Sequence, residues 1–568
     1  MGTMSSPTVH AATVPVGPHE WAVNLGGIIL AFTFALIFRA FVIEGFEIPT
    51  GSMAPTLMGQ HTLLTSPSTG AIWPAGPKDY YEGNATPKPR QTFATLDPLS
   101  GATINANDIS LRGGDRVFIL KYLFPFYTPT RYDVVVFKNP RNPTMNYIKR
   151  LIGLGPEEIA LVDGDVFSRP LTSGQASGQA SGQASEQVGG TPGENTWLAS
   201  GWNITRKPEA SQRVMWQHVY DSAFVPLNNM RDGRVWYRSP WKSQPEKSKE
   251  WEIEGKRELR YVGKGPATLS WDNSVRMIND YYAYNLMASQ DLPNGCFPVS
   301  DIRLGFYYDS AGSAGATDST GPLSALLTAR GHEFRWSVTG LNISLEMRPA
   351  AGGEWKSLGS GTLSGALGVS KPTHVEFWHV DQMLSVYIDG KLAASGAYAW
   401  SPDERLRYTY GMGAAEVAAA KENVLVRYER ITPPQISLTV PGAAGLGRVT
   451  LDRDIHYQPN NYFAFNDATP STNPGPHGRA GQPAAATHPR QPVFLSDGEY
   501  FMCGDNSPSS LDARLWDEPY GWVARNQEKT GVIGRDALIG HAFIVYWPGM
   551  YWWGRVPLPD MGRVRQIR

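Results

Sequence analysis

The longest apolar stretch occupies residues 21–38, WAVNLGGIILAFTFALIF, broken only by Asn24 and Thr33. A run of this length predicts a helix that crosses a bilayer, which takes roughly 17–25 residues. No Lys or Arg precedes it and Arg39 follows, so it lacks the basic amino end of a cleaved signal peptide. The same distribution leaves its orientation undetermined by loop charge. Beyond this segment the hydrophobic period shortens to two. Residues 117–120, 134–137 and 145–152 read as strands bounded by Gly, Pro or Asp. Farther on, Ile302, Leu304 and Phe306 share one face, as do Trp336 with Val338, and Ile343 with Leu345 and Met347. Leu384, Val386 and Ile388 run into Asp389-Gly390, a turn pair that predicts a tight hairpin.

The gaps in the pattern set the organisation. Residues 66–110 are rich in Pro, Gly, Ser and Thr and read as a long loop or small insertion. Residues 173–187, SGQASGQASGQASEQ, have nothing to bury and read as a flexible linker, and 469–492 form a second low-complexity stretch. The expected fold is mainly β: a tail over 1–20, a transmembrane helix over 21–43, a β domain in two parts, 44–170 and 461–568, and an inserted β-sandwich with its linker over 171–460.

Composition narrows the function. The 568 residues carry 51 Lys+Arg and 52 Asp+Glu, which gives no basic face for a nucleic-acid partner. Gly at 59, Pro at 44, Trp at 18 and Tyr at 25 suit many turns and strands. The two cysteines, Cys296 and Cys503, offer no zinc-ligand spacing. They either pair or leave Cys503 as a small buried apolar residue.

The chemistry sits in three short segments. The first, Phe46-Glu47-Ile48-Pro49-Thr50-Gly51-Ser52-Met53-Ala54-Pro55-Thr56-Leu57, puts a serine in a turn just past the apolar run. The second includes Asn146-Tyr147-Ile148-Lys149-Arg150-Leu151-Ile152-Gly153, a lysine inside an apolar strand. The third is Tyr500-Phe501-Met502-Cys503-Gly504-Asp505-Asn506-Ser507-Pro508-Ser509-Ser510-Leu511-Asp512-Ala513-Arg514. A serine hydroxyl needs a base, and none of these segments holds a histidine. A lysine in an apolar site can take that role, because burial disfavours the ammonium. Taken singly, Ser52 reads as a turn residue and Lys149 as an exposed strand lysine paired with a carboxylate.

The three segments together, in this order behind a membrane span, resemble signal peptidase I (leader peptidase), a serine peptidase with a Ser/Lys dyad. Gly114-Asp115-Arg116-Val117 and Ile539-Gly540-His541-Ala542 add to the likeness. The resemblance makes 44–170 and 461–568 a split catalytic domain, with Ser52 as nucleophile and Lys149 as general base. It implies that Thr50 and the Ser52 amide hold the oxyanion and that Ser510 orients the lysine. Asp512 and Arg514 become a structural ion pair, Gly504 a close-packing position beside the lysine, and Asp505 a supporting group. Phe46, Ile48, Pro49, Met53, Leu57, Asn146, Tyr147 and Ile148 become substrate-binding residues for small side chains, with ordinary core packing as the alternative. The sequence departs from the family at Ser507-Pro508-Ser509, Ala513 and Gly155-Pro156, all loop positions. The resemblance further implies signal peptides of exported preproteins as substrates, membrane lipid as surroundings and no metal or organic cofactor. It also implies a cytoplasmic amino end and a catalytic domain on the outer side of the cell (inner) membrane. Trp547, Trp552 and Trp553 suit a membrane-interface surface.

Residues 374–396, HVEFWHVDQMLSVYIDGKLAASG, resemble a strand pair of concanavalin-like (laminin-G-like) sandwiches. That likeness implies a glycan or protein ligand for the insert, or else a spacer role. If the insert is self-contained, cleavage survives deletion of 171–460. Two other readings stay open: a self-cleaving Ser-Lys repressor-type protease, and a membrane-anchored glycan-binding or adhesion protein on an inactive protease scaffold.

Overall fold

The computed structural model describes residues 18–76, 92–107, 112–121, 128–140, 142–171, 195–231, 233–246, 248–285, 296–310, 321–459, 483–516, 529, 531–553, 556–559 and 561–568. The linker at 173–187 and most of 469–492 lie outside them, as do the side chains of Trp552 and Trp553.

The apolar run forms one helix, α1 (Pro18–Phe41). At 1.5 Å per residue it is about 36 Å long, enough to cross a hydrocarbon core of about 30 Å. Its apolar side chains from Trp21 to Phe41 are exposed, with none of this span buried by the described residues. The chain passes directly from α1 into β1 (Ile43–Glu47). Lys121 ties the two together, its Nζ donating to the Ala40 carbonyl at 2.7 Å and pairing with Glu44 at 2.9 Å.

The sheet begun by β1 continues with β2 (Arg116–Lys121), β3 (Val134–Lys138), β4 (Asn146–Leu154), β7 (Glu499–Cys503) and β8 (Leu538–Trp547), while β5 (Glu157–Val162) and β6 (Asp165–Pro170) belong to a separate four-stranded sheet. The spatial order of the first sheet is β1-β2-β8-β3-β4-β7, all antiparallel. Four of its eight strands come from beyond residue 460: β7, β8 and two short ones, Ile533–Gly534 beside β7 and Arg565–Gln566 beside β8. The sheet therefore closes only when both ends of the chain meet. β5 and β6 form a hairpin through Asp163 and Gly164, both at positive φ, 52° and 88°. The apolar alternation packs Val135, Phe137, Leu151 and Ile152 with Phe501, Met502 and Cys503 in one core. Met215, Ile455 and Tyr457 belong to the same core. The chain therefore re-enters the catalytic domain by 455, earlier than the composition break at 461 suggests.

The insert is a sandwich of two antiparallel sheets. One is built on 302–309, 373–380, 383–388, 391–397 and 444–453, the other on 323–329, 332–339, 342–349, 356–362 and 435–440. Leu304, Phe306 and Phe377 of the first meet Phe334 and Trp336 of the second in one buried cluster. The Asp389-Gly390 turn has positive φ at both residues, 48° and 77°, the geometry of a two-residue hairpin.

Where residues 66–110 are described, they include strands and are not one long loop. They contribute to two hairpins, Thr62–Thr65 with Ile72–Ala75 and Thr92–Leu96 with Thr103–Asn107. Leu64, Trp73 and Ile104 from this region pack with Ala283 and Tyr281 of the insert. Cys296 and Cys503 are both free thiols, and burial pushes their pKa values up.

Candidate active site

Ser52 stands in a short 3-10 turn, Gly51–Met53, that follows the extended residue Thr50. Lys149 lies near the middle of β4, opposite Val135 of β3. The two meet across 97 residues of sequence, with Lys149 Nζ 2.5 Å from Ser52 Oγ. Lys149 is 4% exposed. Burial disfavours its ammonium and lowers the pKa to about 8, against the opposing pull of Asp512 and Asp505.

Both carboxylates are occupied by arginines. Asp512 receives Arg514 Nε and Nη2, each at 2.8 Å, and also accepts the Gly504 amide at 2.9 Å. Asp505 receives Arg150 Nε and Nη2, each at 2.7 Å. All four side chains are fully buried. Fork-to-carboxylate pairing neutralises the two negative charges nearest the lysine. Without it, they would hold the amine protonated. Arg150 is the important residue that sequence reasoning left without a role. A hydrophobic strand carrying Lys-Arg offers no sign of which cation is paired and which is bare. Asn506 was also passed over, although its Nδ2 donates to the Gly51 carbonyl at 3.0 Å and its amide to the Ser52 carbonyl at 3.1 Å.

Ser510 differs from expectation. Its hydroxyl is fully buried but makes no hydrogen bond among the described residues, to Lys149 or to any other group. It stands against Gly504, where an added Cβ would come within 2.2 Å of Ser510 Oγ and 2.5 Å of the Ser52 carbonyl. The glycine thus keeps space beside Ser52 and Ser510. Thr50 is exposed and its side chain makes no hydrogen bond to cap the turn.

The expected substrate-binding residues separate into two groups. Met53 and Leu57 are 0% exposed and Ile48 is 2% exposed, packed with Val117, Ile119, Val134 and Val136. These three are core, because the turn folds its apolar side inward under the sheet. Phe46, Tyr147 and Ile148 are half-buried, and Pro49 and Asn146 are exposed. They line the ends of β1 and β4, where those strands leave their outer edges unpaired among the described residues. Trp547 is half-buried and pairs with Arg116 at the end of β8.

Asp115 fixes the turn from below. It accepts the Met58 amide at 2.8 Å and Arg563 at 2.7 Å. A Cβ at Gly114 would lie 1.7 Å from the Ile48 carbonyl, so the strand entering the Ser52 turn runs hard against a position that only glycine can fill.

The family described as signal peptidase, peptidase S26, matches residues 92–187 and 455–547. Lys149 and the 504–514 motif fall inside these segments, and Ser52 precedes them. A signal peptidase I from Rickettsia massiliae (strain Mtu5) is 25% identical over 164 residues, which is 29% of this chain and 47% of that protein. A signal peptidase I from Buchnera aphidicola subsp. Baizongia pistaciae is 29% identical over 123 residues, 22% of this chain and 26% of that one. The chain thus spans less than half the length of these curated relatives. Among solved structures, carbohydrate-binding module CBM66 from Bacillus subtilis covers 38% of this chain and 96% of its own, at 12% identity and a TM-score of 0.21.

Proposed function

We propose, from a chain that carries the signal peptidase (peptidase S26) domain in two pieces around an insert, that it is a membrane-anchored serine endopeptidase removing signal peptides from exported preproteins. The observation that carries this reading is the 2.5 Å approach of a buried amine, its pKa lowered by that burial, to a serine hydroxyl. Ser52 Oγ attacks the scissile carbonyl while its proton passes to Lys149 Nζ. The Ser52 amide and the Thr50 hydroxyl receive the oxyanion. The leaving amine takes the proton from Lys149. Water then hydrolyses the acyl-enzyme, with Lys149 again as base. Substrate lies along the open ends of β1 and β4 beside Phe46, Pro49, Asn146, Tyr147 and Ile148, and the cut falls after small residues. The amino end is cytoplasmic and the catalytic domain lies across the membrane, where preproteins emerge.

Cleavage of a preprotein by the purified chain in detergent tests this. Ser52→Ala and Lys149→Ala should each abolish cleavage, and Ser510→Ala should have a milder effect, since its hydroxyl holds no partner. Near-parental cleavage by Lys149→Ala would remove the base assignment.

A further inference from the structure

Among the described residues, the insert reaches the reaction centre through a 3-10 turn at Ala283–Asn285. Tyr284 lies so close over Gly51 that an added Cβ would come within 2.0 Å of its Cε1. Its hydroxyl donates to the Gln60 carbonyl at 3.1 Å, and its ring packs with Ala54 and Met58. Asn285 and Asn506 exchange amide hydrogen bonds: Asn285 Nδ2 donates to Asn506 Oδ1 at 2.8 Å, and Asn506 Nδ2 donates to Asn285 Oδ1 at 2.7 Å. This pairing fixes which face of the Asn506 amide donates to the Gly51 carbonyl. The Gly51–Ser52 peptide is planar and trans, so its N–H points away from its C=O. Holding the Gly51 carbonyl therefore aims the Ser52 N–H.

We infer that Tyr284 and Asn285 of the insert are positioning residues for the nucleophile turn, acting through Gly51 and Asn506 to aim the Ser52 amide and hydroxyl. The inference rests on Ser52 being the nucleophile. It makes the insert a working part of the catalytic domain as well as an appended module. A misaimed oxyanion donor loses part of a contribution worth about 10²–10³ in rate.

The test uses the full chain in detergent with a preprotein substrate. Asn285→Asp is nearly isosteric; it keeps the acceptor for Asn506 Nδ2 and sets an oxygen against Asn506 Oδ1. It should lower kcat by about 10–100-fold and leave KM within about 2-fold. Asn285→Ala, which removes the pair outright, should do the same and carries the test if the aspartate variant does not fold. Tyr284→Ala, which removes the ring from over Gly51, should lower kcat more than Tyr284→Phe, which keeps the ring and loses only the bond to the Gln60 carbonyl. A folded Asn285→Asp with parental kcat, or with only a raised KM, overturns the inference. If Ser52→Ala is inactive while Asn285→Asp is fully active, the nucleophile reading stands and this inference alone falls. If Ser52→Ala cleaves normally, both fall.

Discussion

Lys149 is held where an ammonium is costly, and two consequences follow for pH. Activity should rise with pH through about 8, as the free amine becomes the dominant form. Stability should move in the same direction. The unfolded chain binds this proton up to about 10.5, and the folded chain releases it near 8. Between those values the unfolded state therefore carries more protons, and stability increases with pH. Below 8 the buried charge imposes its full cost, on the order of 3 kcal/mol. Lys149→Met should accordingly be inactive yet more stable than the parent at pH 6. The gap should shrink as pH rises past 8, measured by denaturant midpoints across pH. The pairing of Ser52 with Lys149 was legible because their short segments are distinctive in combination. Met53 and Leu57 stayed open between cleft and core, because a sequence shows that a side chain is apolar, not which way it faces. The pairing of Asp505 with Arg150 was hidden because it joins positions 355 apart in the sequence.

The hairpin of β5 and β6 joins the two halves of the protein. Its tip residue, Asp163, is fully buried and receives Arg330 Nε at 2.6 Å, Arg405 Nε at 2.8 Å and the Thr409 hydroxyl at 3.0 Å, all from the insert. The two guanidiniums hold its carboxyl well down, to about 2. Removing the shared partner of two buried cations costs about 3–5 kcal/mol. Asp163→Ala should therefore lower the unfolding midpoint markedly and raise proteolytic sensitivity between catalytic domain and insert, read by limited proteolysis. Strands β2, β3 and β4 were legible from alternation, and the Asp389-Gly390 hairpin from its turn residues. The two small hairpins within 62–107 were not. Their strands are too short to show a period, and their apolar faces are covered by Ala283 and Tyr281 from far along the chain.

The two-part architecture was visible at the scale of the whole chain, since a low-complexity stretch marks each end of the insert. How tightly the parts engage was not. Deleting 171–460 would remove Met215, Ile455 and Tyr457 from the catalytic core, along with Gln458, whose carbonyl receives Arg514 at 2.8 Å. That deletion should yield an unfolded or inactive protein. A cut over 217–453 is better placed. Gln217 and Arg453 are direct partners on neighbouring strands, so the ends lie about 5 Å apart and a short linker can join them. That variant should fold, and should cleave at a rate reduced about 10–100-fold, because the Tyr284 and Asn285 contacts go with the insert. An undiminished rate would separate the insert from catalysis.

The clamp at the foot of α1 also has a metric consequence. Lys121 locks the last turn of the helix to β1, and only the residues from 42 to 51 separate Phe41 from Ser52. Even fully drawn out, that tether reaches at most about 40 Å, and its sheet pairing shortens it and denies it swing. With α1 seated in a bilayer, as proposed, Ser52 would stand at a fixed height above the lipid. A bond held nearer to or farther from the membrane than that height would then escape cleavage whatever its side chains.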